Sequence, residues 1–151
     1  MVDQPESPLS AYIDHTLLRP NATAGDIEKL CSEAIDHQLF GVCVNGCWVQ
    51  HAWNYLADSD VTIANVVGFP FGASDSDSKR YETEAAVDNG AHEIDMVMNL
   101  GRFIDGDHRY IVREIRDVID AADDRRLKVI IETGHFSPVS YTHLRAHETR
   151  E

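Results

Sequence analysis

Lysine is scarce in this chain: among 151 residues only Lys29, Lys79 and Lys128 carry an ammonium. Acidic residues outnumber basic ones two to one, and the formal net charge is −13. Nucleic acid and anionic lipid are therefore poor partners, since both need clustered Lys and Arg. The acidic residues are spread along the chain as on a solvated surface, whereas a disordered acidic tail would concentrate them. Cysteine is also sparse and odd in number: Cys31, Cys43 and Cys47 make no disulfide framework and point to a reducing compartment. No stretch approaches the roughly 20 apolar residues of a membrane-spanning helix. The opening Met1-Val-Asp-Gln-Pro-Glu6 lacks the basic start and apolar run of a signal peptide. The expectation is a soluble, cytoplasmic protein with no nucleic-acid or membrane partner. A fixed-period repeat is missing, and no G-x-G-x-x-G turn follows the early strands, which weakens a dinucleotide fold.

What is present is an alternation of short β-rich runs with amphipathic segments. Ile27, Leu30, Cys31, Ala34 and Ile35 recur at helical spacing, and Thr23 with Asp26 resembles a capping box at the helix start. Residues 40–45 form a β-rich run, and a second helix is expected over about 47–56. Residues 61–69 make the clearest strand, ending in Gly68, Pro70 and Gly72. The segment 75–89 reads as a helix closed by Gly90 at C′. Residues 93–99 read as a strand, 107–123 as a helix with Ile111, Ile115, Val118, Ile119 and Ala122 on one side, and 127–133 as the last strand. Ile13 and its neighbours would make a short first strand.

Strands alternating with helices imply βαβ units and a parallel sheet. A doubly wound sheet and a (β/α)8 barrel compete. Strands buried on both faces of an open sheet should be almost continuously apolar. Here Glu93, Asp95 and Asn99 share one face, while Ile94, Met96 and Met98 share the other. A polar face turned inward favours an incomplete TIM barrel of α/β class. A whole barrel takes about 250 residues, so four to five βα units are expected here, about three short of closure. Residues 1–138 would form the N-terminal part of the barrel. Residues 139–151, polar and without a period, read as a non-native or unstructured tail, or alternatively as an ordinary amphipathic helix.

Barrel active sites lie at the C-terminal ends of strands, so the polar residues there are the first candidates. Asp14 falls on or after the first strand, Cys43 and Asn45 on the second, Asp95 and Asn99 on the inward face of the fourth, and Glu132 and Thr133 at the end of the fifth. Three of them have a plain structural alternative. Asp95 could be a buried structural carboxylate, Asp14 a turn cap, and Cys43 a packed small hydrophobe. Cys43, Cys47 and His51 lack the second ligand pair that a zinc site needs.

Six segments in order carry a resemblance: Ile13-Asp-His-Thr-Leu-Leu18, Phe40-Gly-Val-Cys-Val-Asn45, Val66-Val-Gly-Phe-Pro-Phe-Gly72, the stretch from Lys79 to Glu84, Gly90-Ala-His-Glu-Ile-Asp-Met-Val-Met-Asn99 and Leu127-Lys-Val-Ile-Ile-Glu-Thr133. Together, over about residues 9–138, they resemble deoxyribose-phosphate aldolase. The resemblance implies a class I aldolase on a TIM barrel, without metal or other cofactor. Its substrates would be an aldehyde and a sugar phosphate: 2-deoxyribose 5-phosphate is cleaved to acetaldehyde and glyceraldehyde 3-phosphate through a lysine Schiff base. Carried over by position, Asp95 matches the proton-handling aspartate. Asp14 matches an aspartate of the proton relay, with Thr16 following it in the pocket, and Cys43 matches a pocket cysteine near the aldehyde. The family's Schiff-base lysine, its activating lysine and the phosphate-binding loops belong to later strands, and the full-length parent would be a homo-oligomer.

None of the three lysines is expected to substitute. Lys128 reads as a solvated residue at the start of its strand, at the end opposite the site, and Lys79 and Lys29 read as surface charges. The chain alone is therefore expected to be inactive. Two rivals remain: a non-catalytic half-barrel that binds a partner or itself through an exposed edge, and another barrel enzyme, either a different Schiff-base aldolase or a sugar-phosphate isomerase.

Overall fold

The computed structural model describes residues 8–135, so the expected tail at 139–151 lies outside the described residues. Five strands, β1 (Asp14–Leu17), β2 (Gly41–Val44), β3 (Thr62–Val67), β4 (Glu93–Val97) and β5 (Arg126–Ile130), alternate with helices. The helices are α1 (Ala24–Asp36), α2 (Val49–Leu56), α3 (Ser76–Asp88), α4 (Leu100–Ile104) and α5 (His108–Ala121). Every strand pairs in parallel with its sequence neighbour, in the order β1-β2-β3-β4-β5. A doubly wound sheet would instead reverse its order at a switch point.

One contact reveals the curvature. The Lys128 ammonium on β5 lies 3.1 Å from the Asp14 carboxylate on β1, at the opposite side of the sheet. Four strand spacings would separate β1 and β5 by about 19 Å in a flat sheet, more than a lysine side chain can bridge. The sheet is curled into an arc of barrel, with its concave face shared by β1 and β5.

Local chemistry sets the elements. Thr23 caps α1 through a reciprocal capping box with Asp26, as the sequence predicts. Asp75 and Asp107 cap α3 and α5 by accepting hydrogen bonds from Asp77 and Tyr110 backbone N–H groups. The helices cover the convex face, where Ile27, Leu30, Val42, Val44, Ile63 and Met96 belong to one buried cluster. The concave face holds a much smaller apolar set: Cys43, Ala64 and Val66. Among the described residues no helix is long and apolar enough to cross a membrane.

Several expectations about element ends and helix faces change. Residues 46–48 form a 3-10 turn and α2 starts only at Val49. The fourth strand stops at Val97, because Asn99 caps α4 by accepting a hydrogen bond from Arg102 N–H at 3.1 Å; capping competes with strand extension. The fifth strand ends at Ile130, and Glu132, at φ 45°, has turned away from it. Ile35 and Ile119, at the margins of their apolar stripes, are exposed at 41% and 51%.

Lys79 is the largest departure, for it is buried at 0% exposure rather than on the surface. Its ammonium donates to Glu114 Oε1 at 2.7 Å, to the Gly72 carbonyl at 2.7 Å and to the Val97 carbonyl at 2.8 Å. Glu114, also at 0% exposure, accepts from Asn99 N–H with its other oxygen. One buried ion pair between α3 and α5 thus holds the loops that leave β3 and β4 at their C-terminal ends. Gly72 (φ 64°) sits so close to the second loop that a Cβ there would lie 2.2 Å from the Met98 carbonyl oxygen.

Candidate active site

Strand alternation divides the side chains of β4. Ile94 and Met96 enter the convex core, and Glu93 and Asp95 project to the concave face. Register extends this to the neighbours: Asp14 opposes Gly41, Thr16 opposes Cys43, Val66 opposes Asp95, and Asp95 opposes Lys128. Gly41 is required by closeness. A Cβ there would lie 2.7 Å from Asp14 Oδ1 and 2.8 Å from the Thr62 carbonyl oxygen, so the absent side chain makes room for the carboxylate.

Lys128 is the centre of this face. Its Nζ lies 3.1 Å from Asp14 Oδ2, 2.9 Å from Glu93 Oε2 and 3.1 Å from Asp95 Oδ1. Only the contact with Asp14 has hydrogen-bond geometry. Glu93 Oε2 and Asp95 Oδ1 are held by charge, and with Asp14 Oδ1 they are buried without a hydrogen-bond partner among the described residues. Arg126 takes the other Glu93 oxygen at 2.6 Å.

The electrostatics follow from burial and crowding. Burial raises the Asp95 carboxyl above its ordinary range; Lys128 pulls it back, while Asp14 and Glu93 push it further up. Burial also acts against the Lys128 ammonium, but its interactions with Glu93, Asp14 and Asp95 outweigh that and hold it well above the usual lysine range. The Cys43 thiol, 3.9 Å from Asp95 Oδ2, is pushed up to about 12 by burial and then by the charges of Asp95 and Asp14. It is a protonated, packed thiol at neutral pH.

The candidates Asp14, Asp95 and Cys43 therefore converge on one concave surface. Thr16 shares that face but is exposed, its hydroxyl donating to the Asp14 carbonyl at 3.1 Å. Asn45 instead ties a loop, donating to the Leu18 carbonyl at 3.2 Å. Cys47 is exposed, and His51 pairs with Glu28 at 3.3 Å, so neither joins Cys43 in a metal site. Among the described residues no group of three or more His, Cys, Asp or Glu is arranged to hold a metal ion.

Lys128 corrects the sequence reading: it lies mid-strand on the concave face and is not a solvated residue at the far end. Starting the strand at Leu127 puts Lys128 in its first turn of pleat and hides the fact that register brings it beside Asp95. The usable signal was the acidic pair Glu93 and Asp95 on one inward face, which needs a cation of matching parity.

The comparisons agree with this architecture. A model of the DeoC/LacD family aldolases matches residues 9–147. A deoxyribose-phosphate aldolase from Clostridium botulinum (strain Okra / Type B1) is 50% identical over 125 residues, covering 83% of this chain and 59% of the relative. A solved structure from Coccidioides immitis, provisionally named deoxyribose-phosphate aldolase, has a TM-score of 0.85 at 36% identity, covering 91% of this chain and 55% of that one. The tetrameric deoxyribose phosphate aldolase from Aeropyrum pernix has a TM-score of 0.80 at 24% identity, covering 93% and 59%. The chain thus spans less than two thirds of the proteins it matches, and its five parallel strands form part of a TIM barrel. Family model, sequence identity and fold coincide: the chain belongs to the DeoC/LacD family of aldolases.

Proposed function

We propose that this chain carries the proton-handling side of a Schiff-base aldolase that cleaves 2-deoxyribose 5-phosphate to acetaldehyde and glyceraldehyde 3-phosphate. The observation that carries the reading is the meeting of Asp95, Asp14 and Cys43 on the concave face. In retro-aldol cleavage a hydroxyl must lose its proton as the C–C bond breaks, and the enamine left behind must gain one. Asp95 suits that exchange, because burial raises its carboxyl toward the working pH while Lys128 keeps it available as a base. Asp14 relays the proton, sharing the Lys128 ammonium with Asp95. Cys43 and Thr16 line the pocket as neutral groups, one a protonated thiol and the other a hydroxyl.

The attacking amine has to be uncharged. Lys79 is spent in its buried pair, Lys29 stands in solvent beside Glu33, and Lys128 is fixed in its charged form by three carboxylates. We assign the amine to a part of the parent protein that this chain does not include, so the chain alone performs no cleavage. Small aldehydes and sugar phosphates are the proposed partners, with no nucleic acid or membrane at a net charge of −13. The three free cysteines fit a cytoplasmic setting. Self-association of the parent is proposed by analogy with the tetrameric Aeropyrum pernix protein.

The test is complementation. The chain is mixed with the remaining C-terminal part of the Clostridium botulinum relative, and deoxyribose 5-phosphate cleavage is followed by coupled assay. The chain alone should give no turnover and no borohydride-trapped adduct with acetaldehyde. The mixture should recover both, and Asp95→Asn in the mixture should cut the rate by roughly 10²- to 10⁴-fold. Turnover by the chain alone, or an unimpaired Asp95→Asn mixture, refutes the proposal.

A further inference from the structure

We propose that Lys128 is the positioning residue of this site: it ties β5 to β1 across the concave face and fixes the Asp95 and Asp14 carboxylates toward one another as a proton-transfer pair. The catalytic meaning rests on the aldolase reading, but the geometric claim stands on its own. Lys128 is within 3.1 Å of carboxylate oxygens from β1 and β4, and no other lysine of the chain reaches this face.

The site without that ammonium would be unstable as drawn. Asp14, Glu93 and Asp95 would face one another with Arg126 alone to offset them, and of these three carboxylates Arg126 pairs with Glu93. Like charges that close favour protonation of one member or separation of the strands that carry them. Either outcome removes Asp95 as a base, by neutralising it or by displacing it from Asp14.

Among the described residues nothing else on this face can replace Lys128. The groups that face Asp95 are Asp14 from β1, Cys43 from β2, Glu93 from its own strand and Lys128 from β5; β3 contributes only Ala64 and Val66. Cys43 is neutral and the others are acids, so Lys128 is the single cation in contact with Asp95 among the described residues. A guanidinium at 128 would keep the charge and reach two carboxylates at once, whereas a methionine would keep the bulk and lose the charge.

The experiment is a carboxyl-detected NMR titration of the chain with ¹³C-labelled Asp and Glu, comparing the parent with Lys128→Met and Lys128→Arg. In Lys128→Met the Asp95 midpoint should rise by about one pH unit or more, and Lys128→Arg should bring it back. A Lys128→Met midpoint within about 0.3 unit of the parent, or an upward shift that Lys128→Arg fails to reverse, overturns the proposal. If Lys128→Met does not fold, Asp14→Asn is the second variant. Removing one competitor for the ammonium and one neighbouring charge should lower the Asp95 midpoint, and an unmoved midpoint overturns the proposal. The titration needs no turnover, so its failure condemns the role of Lys128, while an inert complemented enzyme with an intact titration condemns the aldolase reading instead.

Discussion

Replacing Glu114 by leucine would leave the Lys79 ammonium fully buried with two carbonyl oxygens and no counter-charge. Removing one partner of a buried pair costs about 3–5 kcal/mol, because the surviving charge remains desolvated. For a domain with a typical ~5–15 kcal/mol of stability, that is a large fraction of the whole. With a urea m-value of about 2 kcal/mol/M, the unfolding midpoint should fall by roughly 2 M. Trp48 and Trp53 fluorescence can follow the transition. Lys79→Met should cost a similar amount, since it leaves the Glu114 carboxylate with only the Asn99 N–H as hydrogen-bond donor among the described residues. The double variant Lys79→Met/Glu114→Leu separates charge from shape. A buried pair replaced by apolar groups of similar volume is often neutral or stabilising, so the double variant should lie within about 1 kcal/mol of the parent, with several kcal/mol of coupling between the sites. Additive losses in the double variant would mean that the pair acts only as volume, and a Glu114→Leu loss below about 1 kcal/mol would refute the buried-charge reasoning altogether.

Three further outcomes are expected. Gly41→Ala should cost about 1–3 kcal/mol as the added Cβ meets Asp14 Oδ1 and the Thr62 carbonyl, and unshifted Asp14 resonances would contradict the close approach. At pH 8, with its thiol pushed up to about 12, Cys43 should react with iodoacetamide about a thousandfold more slowly than an ordinary thiol; mass-spectrometric labelling comparable to that of exposed Cys47 would contradict this. His92 accepts from Ile63 N–H, and burial, followed by the nearby Arg125, lowers its imidazole. Its folded pKa lies below its unfolded value, so below about pH 6.5 the unfolded chain binds the extra proton and stability falls with pH. Urea midpoints between pH 7.5 and 5 should fall less steeply in His92→Asn, and identical slopes would remove the assignment.

The strand and helix sequence was legible because it rests on local periodicity. Ile94 and Met96 alternate with Glu93 and Asp95, and that pattern carries both the buried core and the polar concave face. Thr23, Asp75 and Gly90 mark helix ends by chemistry confined to a few residues. The charged residues that organise the interior were harder to read, because their partners are distant in the chain. Lys79 sits in the polar run Ser-Asp-Ser-Lys-Arg, and nothing there marks it as buried. Glu114 did carry a signal: it stands three residues after Ile111 and four before Val118, on the stripe that α5 buries. A charge at such a position demands a partner, and its partner lies 35 residues away on α3. Lys128 and Asp14 are 114 residues apart and meet only because the sheet curls.

Two lysines, Lys79 buried and Lys128 half-buried, divide the work of the fold. Lys79, between the helices, fixes the loops leaving β3 and β4; Lys128, inside the arc, holds the carboxylates that β1 and β4 present. On the concave face three carboxylates meet two cations, so the pocket floor stays anionic where Asp14 and Asp95 sit. An anionic ligand entering such a concave face would be repelled from that floor. Its charged group would keep to the far side while a neutral end approached Asp95. The charge arrangement of this part of the barrel thus turns an anionic ligand so that its neutral end meets the carboxylates, before any further binding group is considered.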